Sequence, residues 1–142
     1  MRSYDQLPLA IGIQAAQSST YVENGRKSMS NISASKQITD EVTSWPGVTA
    51  GTGRRGEFAF KVGGKEIGHL HGDRSAHFFF PKREWHELLA EGRIEHHPVF
   101  PGREGPAARR IRSEEDVREV VALMRLNYER AQARGRARAA AN

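Results

Sequence analysis

The chain has 142 residues, enough for one domain of ordinary size and too few for a second full catalytic domain. It contains no cysteine, which excludes disulfides, thiolate nucleophiles, zinc knuckles and iron–sulfur clusters, and no run approaches the roughly 20 apolar residues of a membrane span, so a soluble, cytoplasmic protein is expected. The formal charge of +5 is uneven: residues 1–34 carry three basic and two acidic groups, residues 35–129 carry fifteen of each sign, and the remainder is Arg130, Arg134, Arg136 and Arg138.

A mean hydropathy of −0.66 fits solvated segments at both ends. In LPLAIGIQAAQ the apolar run follows Asp5 and is broken by Gln14, a poor secretory signal. Residues 17–35 are small and polar, with a turn-prone Asn24-Gly25, so residues 1–34 read as a disordered or weakly ordered extension. The patterning changes abruptly after Met29, which marks that residue as an alternative start. The folded domain is expected over residues 35–131, followed by an Arg/Ala-rich tail at 132–142.

Within the body, Ile38, Val42 and Trp45 stand at helical spacing until Pro46-Gly47 ends the run. Phe58, Phe60 and Val62 alternate with polar or small neighbours, and Gly63-Gly64 supplies a two-residue hairpin turn. Counting back from that turn pairs Val62 with Lys65, Lys61 with Glu66, Phe60 with Ile67, Ala59 with Gly68 and Phe58 with His69. After a turn at residues 71–74, SAHFFF reads as a third strand. Pro81 then opens a helix carrying Trp85, Leu88 and Leu89, and Gly92 closes it. Residues 94–100 and 107–112 are candidate short strands. Ser113 with Asp116 forms a capping pattern ahead of a long helix whose stripe is Val117, Val120, Val121, Met124 and Tyr128, with fraying expected beyond Arg134. The fold class is α+β: a mainly antiparallel sheet, a three-stranded meander plus one or two further strands, with helices packed on one face.

Residues of equal parity share a face of a strand, so His69 and His71 project together, in this register with Phe58, Phe60 and Ile67. Three readings stay open for the pair. The imidazoles bind a ligand or exchange protons beside an apolar wall; His69 bonds within the core while His71 caps the Asp73 turn; or they hold a metal, against which no nearby carboxylate has ligand spacing. His97 approaches if the segment after the second helix folds back, and Trp85 is a further apolar candidate. His77 and His86 read as structural. No phosphate loop, nucleophile elbow, zinc-protease helix or dinucleotide fingerprint is present.

WPGVTAG (45–51), GGKEIGHLHG (63–72), FP (80–81), ELLAEGRIEHH (87–97) and SEEDVREVVALMRLNYERA (113–131) together resemble the luciferase-domain family, small bacterial proteins whose domain also occurs in fungal luciferases. The element order is similar, more remotely, to the MmcQ/YjbR fold. The resemblance implies a small-molecule-binding protein or a cofactor-independent oxygenase acting on an acidic, electron-rich ring, with His69, His71 and His97 as catalytic candidates and Phe58, Phe60, Ile67 and Trp85 against the ligand. It implies neither a metal nor an organic cofactor. Where the family often carries Gly-Trp-Val/Ile-Ser, this chain has Gly105-Pro106-Ala107-Ala108 and lacks the aromatic residue. The alternatives are a nucleic-acid or protein binding module using the weak phosphate affinity of Arg130, Arg134, Arg136 and Arg138, or an inert family member.

Overall fold

A computed structural model describes residues 32–142. The expected N-terminal extension and the alternative start at Met29 therefore lie, but for residues 32–34, outside the described residues. Helix α1 (Ala34–Val42) is followed by strands β1 (Val48–Thr52), β2 (Phe58–Val62), β3 (Lys65–His71) and β4 (Ser75–Phe79). Helix α2 (Lys82–Ala90), strands β5 (Glu95–His96) and β6 (Pro106–Arg110) and helix α3 (Glu114–Ala141) complete the chain. The strands form one antiparallel sheet in the order β1-β2-β3-β4-β6-β5. The expected meander thus gains an edge strand, β1. Its sequence VTAGT shows no alternation because it is mostly exposed.

All three helices contribute to one core on one sheet face. Ile38 and Val42 of α1, Trp85 and Leu88 of α2, and Val120, Leu123 and Met124 of α3 pack with Phe60, Leu70, Phe78 and Ala107. Tyr128 fastens α3 to the end of α1 by donating to the Pro46 carbonyl at 2.7 Å while its ring lies 5.2 Å from that of Trp45. No described helix packs on the opposite face; the segment after β5 lies over part of it, at His77.

The hairpin register departs from the count made along the sequence. Val62 pairs with Lys65 and Lys61 with Glu66 as expected, but Phe60 pairs with Gly68, Ala59 with His69 and Phe58 with Leu70. Ile67 is the extra residue of a β-bulge. A strand glycine often marks such a bulge or a close approach, and here it marks both. A Cβ on Gly68 would lie 2.6 Å from Met124 Sδ and 3.0 Å from a Phe78 ring carbon. The missing side chain leaves this space to the end of Met124 from α3 and to the Phe78 ring.

Both helix starts follow the sequence reading. Pro81 precedes the first turn of α2, and Gly92, at φ 74°, ends it with its own amide bonded to the Leu89 carbonyl and the Arg93 amide to that of Leu88. Ser113 accepts from the Asp116 amide, while the Asp116 carboxylate accepts from the Arg112 amide at 2.8 Å and from Arg109 of β6 at 2.6 Å. At the other end α3 runs to Ala141, past the expected fraying point, because Ala and Arg are strong helix formers that outweigh the single Gly135. No described helix is long and apolar enough to cross a membrane.

Asp116 links three segments and sets a pH dependence. Burial alone raises its carboxyl, but hydrogen bonds from Arg109, the Arg112 amide and Ser113, with the Arg109 charge, outweigh that and hold it below the ordinary range. A depressed carboxyl stabilises the fold above its unfolded value of roughly 4 and loses that contribution as pH falls through the folded value. With side chains only 15% and 18% exposed at the pair, Asp116→Asn should lower stability by about 2 kcal/mol at pH 7. In urea titrations the gap from the parent should narrow as pH drops below about 4; a gap independent of pH would contradict the ion-pair account.

Candidate functional site

The bulge decides which face the histidines take. Because Ile67 is skipped, Phe58, Phe60, Gly68 and Leu70 turn inward, and Ala59, His69 and His71 turn to the open face. The three-residue turn at 72–74 then pairs His71 with Ser75 and His69 with His77, so His77 joins them on that face. His97, just beyond β5, reaches the same place.

The four rings form a continuous cluster. His69 and His71 have centroids 5.0 Å apart, His69 and His77 5.3 Å, His71 and His77 4.3 Å, and His77 and His97 4.2 Å. His77 is at the centre and only 7% exposed. Burial, then the neighbouring rings of His97, His71 and His69, lower its pKa to about 3, so it is neutral near pH 7. Burial followed by the charge of His69 also lowers His71 and His97.

Partners fix where the proton sits in the neutral form of two of the rings. His69 Nδ1 lies 2.7 Å from Glu66 Oε2, so Nδ1 carries the proton and, in the neutral ring, Nε2 keeps the lone pair. His97 is the reverse: its Nδ1 accepts the Val99 amide at 3.1 Å, leaving the neutral ring an Nε2–H donor. An acceptor and a donor therefore occupy one cluster. Nitrogens of His69, His71 and His77 also lie within 4.8 Å of one another, near enough to be considered as metal ligands.

A recess of about 450 Å³ opens beside the cluster, reaching from His69, His77 and His97 to Asn127 and Arg134 of α3. It lies where β3 and β4 separate at the bulge. Asn127 spans that separation, donating from Nδ2 to the carbonyls of Ile67 at 3.1 Å and Phe79 at 3.2 Å. Its Oδ1 accepts from Arg130, which also pairs with Glu84 of α2. Phe79 is 66% exposed on the histidine face, and the Phe100 ring lies 5.2 Å from that of His97. A second recess of about 640 Å³ lies on the other side of His77, against Glu95 and Arg110.

The structure thus brings His69, His71 and His97 together and separates them from the apolar residues expected to accompany them. Phe60, Ile67 and Trp85 are buried in the core, and Phe58 packs against it from the same inner face. The Trp85 indole is also engaged, donating to the Pro106 carbonyl at 2.9 Å. For Phe58, Phe60 and Ile67 the bulge is the cause, since it leaves the sheet between them and the imidazoles; Trp85 is on α2, which packs into the core. The aromatic residues beside the cluster are Phe79 and Phe100. His77, read from sequence as structural, is its centre, and the turn-based count that pairs it with His69 was the available signal. Asn127 had a signal too, as a polar residue on the inward stripe of α3 between Met124 and Tyr128. Of the four arginines assigned to a basic tail, Arg130 is tied to Glu84 and Asn127, while Arg134, Arg136 and Arg138 lie on the exposed end of α3.

Residues 64–127 match the family model of the luciferase domain, the family that the sequence motifs resemble. The match is shorter at both ends than the span of the resembling motifs, residues 45–131. It begins at the Gly63-Gly64 turn, ends at Asn127, and contains all four clustered histidines, Glu66, Phe79 and Phe100. No curated protein and no solved structure matches the chain.

Proposed function

We propose that the luciferase-domain stretch binds a small, acidic, electron-rich molecule on the open sheet face and acts on it as an oxygenase-like enzyme. One observation carries the reading: four imidazoles from β3, β4 and the segment after β5 converge beside a recess, with a lone pair and an N–H donor held by separate partners. Such a pair suits a ring bearing an acidic hydroxyl and a neighbouring oxygen. His69 Nε2 accepts the hydroxyl hydrogen, His97 Nε2–H donates to the second oxygen, and Phe79 and Phe100 offer flat apolar surface. Lys65 and Arg134 on the same recess favour an anion. Drawing the ligand toward its ionised form places electron density on a ring carbon, where molecular oxygen is the oxidant and the product retains both oxygen atoms as a hydroperoxide.

The test uses the full chain and 4-hydroxy-6-methyl-2-pyrone, a minimal acidic pyrone, with related enols and phenols. A saturable rise in thermal midpoint is expected, abolished in His69→Ala and weakened about tenfold in Phe79→Ala, given the worth of a ring contact. Circular dichroism should show both variants folded, since both side chains lie on the uncovered face. A parent protein that shifts with none of these compounds, or a His69→Ala variant that shifts equally, would defeat the reading. Oxygen uptake measured with each ligand that binds tests the oxygenase step.

A further inference from the structure

We infer that His69, His71 and His77 form a binding site for one divalent first-row transition metal ion, with coordination positions left open toward the recess. The inference deepens the small-molecule reading and rests on it for what fills those open positions: the His69 Nε2 lone pair then goes to the metal, and the acidic oxygen of the small molecule meets the metal in place of that nitrogen. It departs from the sequence expectation of no metal, which turned on carboxylate spacing; the ligands here are all imidazoles, drawn from both strands of one hairpin.

The geometry supports this in three ways. First, one nitrogen from each ring falls within 4.8 Å of the others. Tetrahedral bonds of 2.0–2.1 Å require nitrogens about 3.4 Å apart, so binding needs the rings to draw together by roughly 1 Å, a change side-chain rotation can supply. The backbone already holds them, because His69 pairs directly with His77 and His71 is the next residue on the same face. Second, Glu66 accepts from His69 Nδ1 at 2.7 Å. A carboxylate on the far nitrogen of a ligating imidazole fixes the ring and makes it a better donor. Third, the set has three members. His97 stacks on His77 but commits its Nδ1 to the Val99 amide, so it stands as a wall of the site. Three protein ligands with an open position characterise metal sites that bind exchangeable ligands, whereas structural sites are closed by four.

All-imidazole ligation selects zinc, iron, copper, nickel or cobalt over magnesium and calcium, which take oxygen donors. An anionic oxygen from the small molecule is a suitable occupant of the open position. The exposed pair of His86 on α2 and Glu104 in the loop between β5 and β6, 2.5 Å apart, is a separate place where a surface metal can lodge. The test must distinguish the two.

Chelator-treated full-length protein is titrated with Co²⁺, followed by visible absorption, and with Zn²⁺, followed by calorimetry. The expected result is one equivalent bound with visible ligand-field bands. Glu66→Gln should weaken binding by about 10–100-fold, as loss of such an outer partner does. His71→Ala, at an exposed position where folding is not at risk, should weaken it by at least as much, and His86→Ala should leave it unchanged. Absence of stoichiometric binding, or an affinity equal to the parent's in both Glu66→Gln and His71→Ala, overturns the inference. Repeating the pyrone thermal-shift measurement in chelator separates the two readings. A shift without any cobalt binding removes the metal and keeps the ligand site; cobalt binding without any pyrone shift does the reverse.

Discussion

Phe60→Ala should destabilise the protein by about 3–5 kcal/mol, the range for removing a buried aromatic ring. The ring is 0% exposed, lies beside the β-bulge, and meets Phe58 edge-on at a centroid distance of 5.5 Å. It belongs to a close-packed core shared by the sheet and the helices, which relaxes only partly around a cavity. A domain of this size has roughly 5–15 kcal/mol of stability in total, and a loss of that order brings the variant near the unfolding threshold. The measurement is the urea midpoint at constant slope. A companion variant, Phe60→Leu, should lose much less stability and leave pyrone binding unchanged, because the ring faces away from the histidines. Loss of binding in a folded Phe60→Leu protein would mean that the sheet is not the barrier the bulge makes it.

Asn127→Leu should produce the second large effect, about 2–4 kcal/mol, for a different reason. The leucine is close in volume, so packing changes little. What disappears is a pair of donors to the Ile67 and Phe79 carbonyls and the acceptor for Arg130. Two backbone acceptors lose the bonds that bridge β3 and β4 where their own ladder has ended, and neither strand can supply a replacement. Amide exchange at residues 67–70 and 76–79 should rise in step with the lost stability. Since His69 and His77 begin the paired stretch next to this separation, the spacing of their rings depends on it. A variant with parent-like stability and exchange would show that solvent satisfies those carbonyls and that Asn127 does not organise the site.

Much of the fold was legible from local chemistry. Pro81 and Gly92 bracket α2, Ser113 and Asp116 cap α3, and Gly63-Gly64 turns the β2–β3 hairpin, because each feature acts over a few residues where sequence distance equals spatial distance. The α+β class followed from the same punctuation and the change of hydrophobic period. The strand β1 escaped because an exposed edge imposes no alternation for periodicity to detect.

The candidate site was only half legible, and the missing half has one origin. His69 and His71 share a face by parity alone, which holds in any unbroken strand. Which face that is depends on Ile67 dropping out of register, and the reason sits on α3: Met124 occupies the space a side chain at residue 68 would need. Gly68 was the local cue, but nothing near it in the chain names the residue that makes the cue matter. By itself the sequence determined every element but β1, the helix caps and the pairing of the two histidines with each other. Tertiary packing decided that they meet His77 and His97 on the uncovered side, with Phe79 and Phe100 in place of Phe58 and Phe60. The physical reason is the period of two along a strand: one extra residue, accommodated by a helix sixty positions away, exchanges the inside of the sheet for the outside.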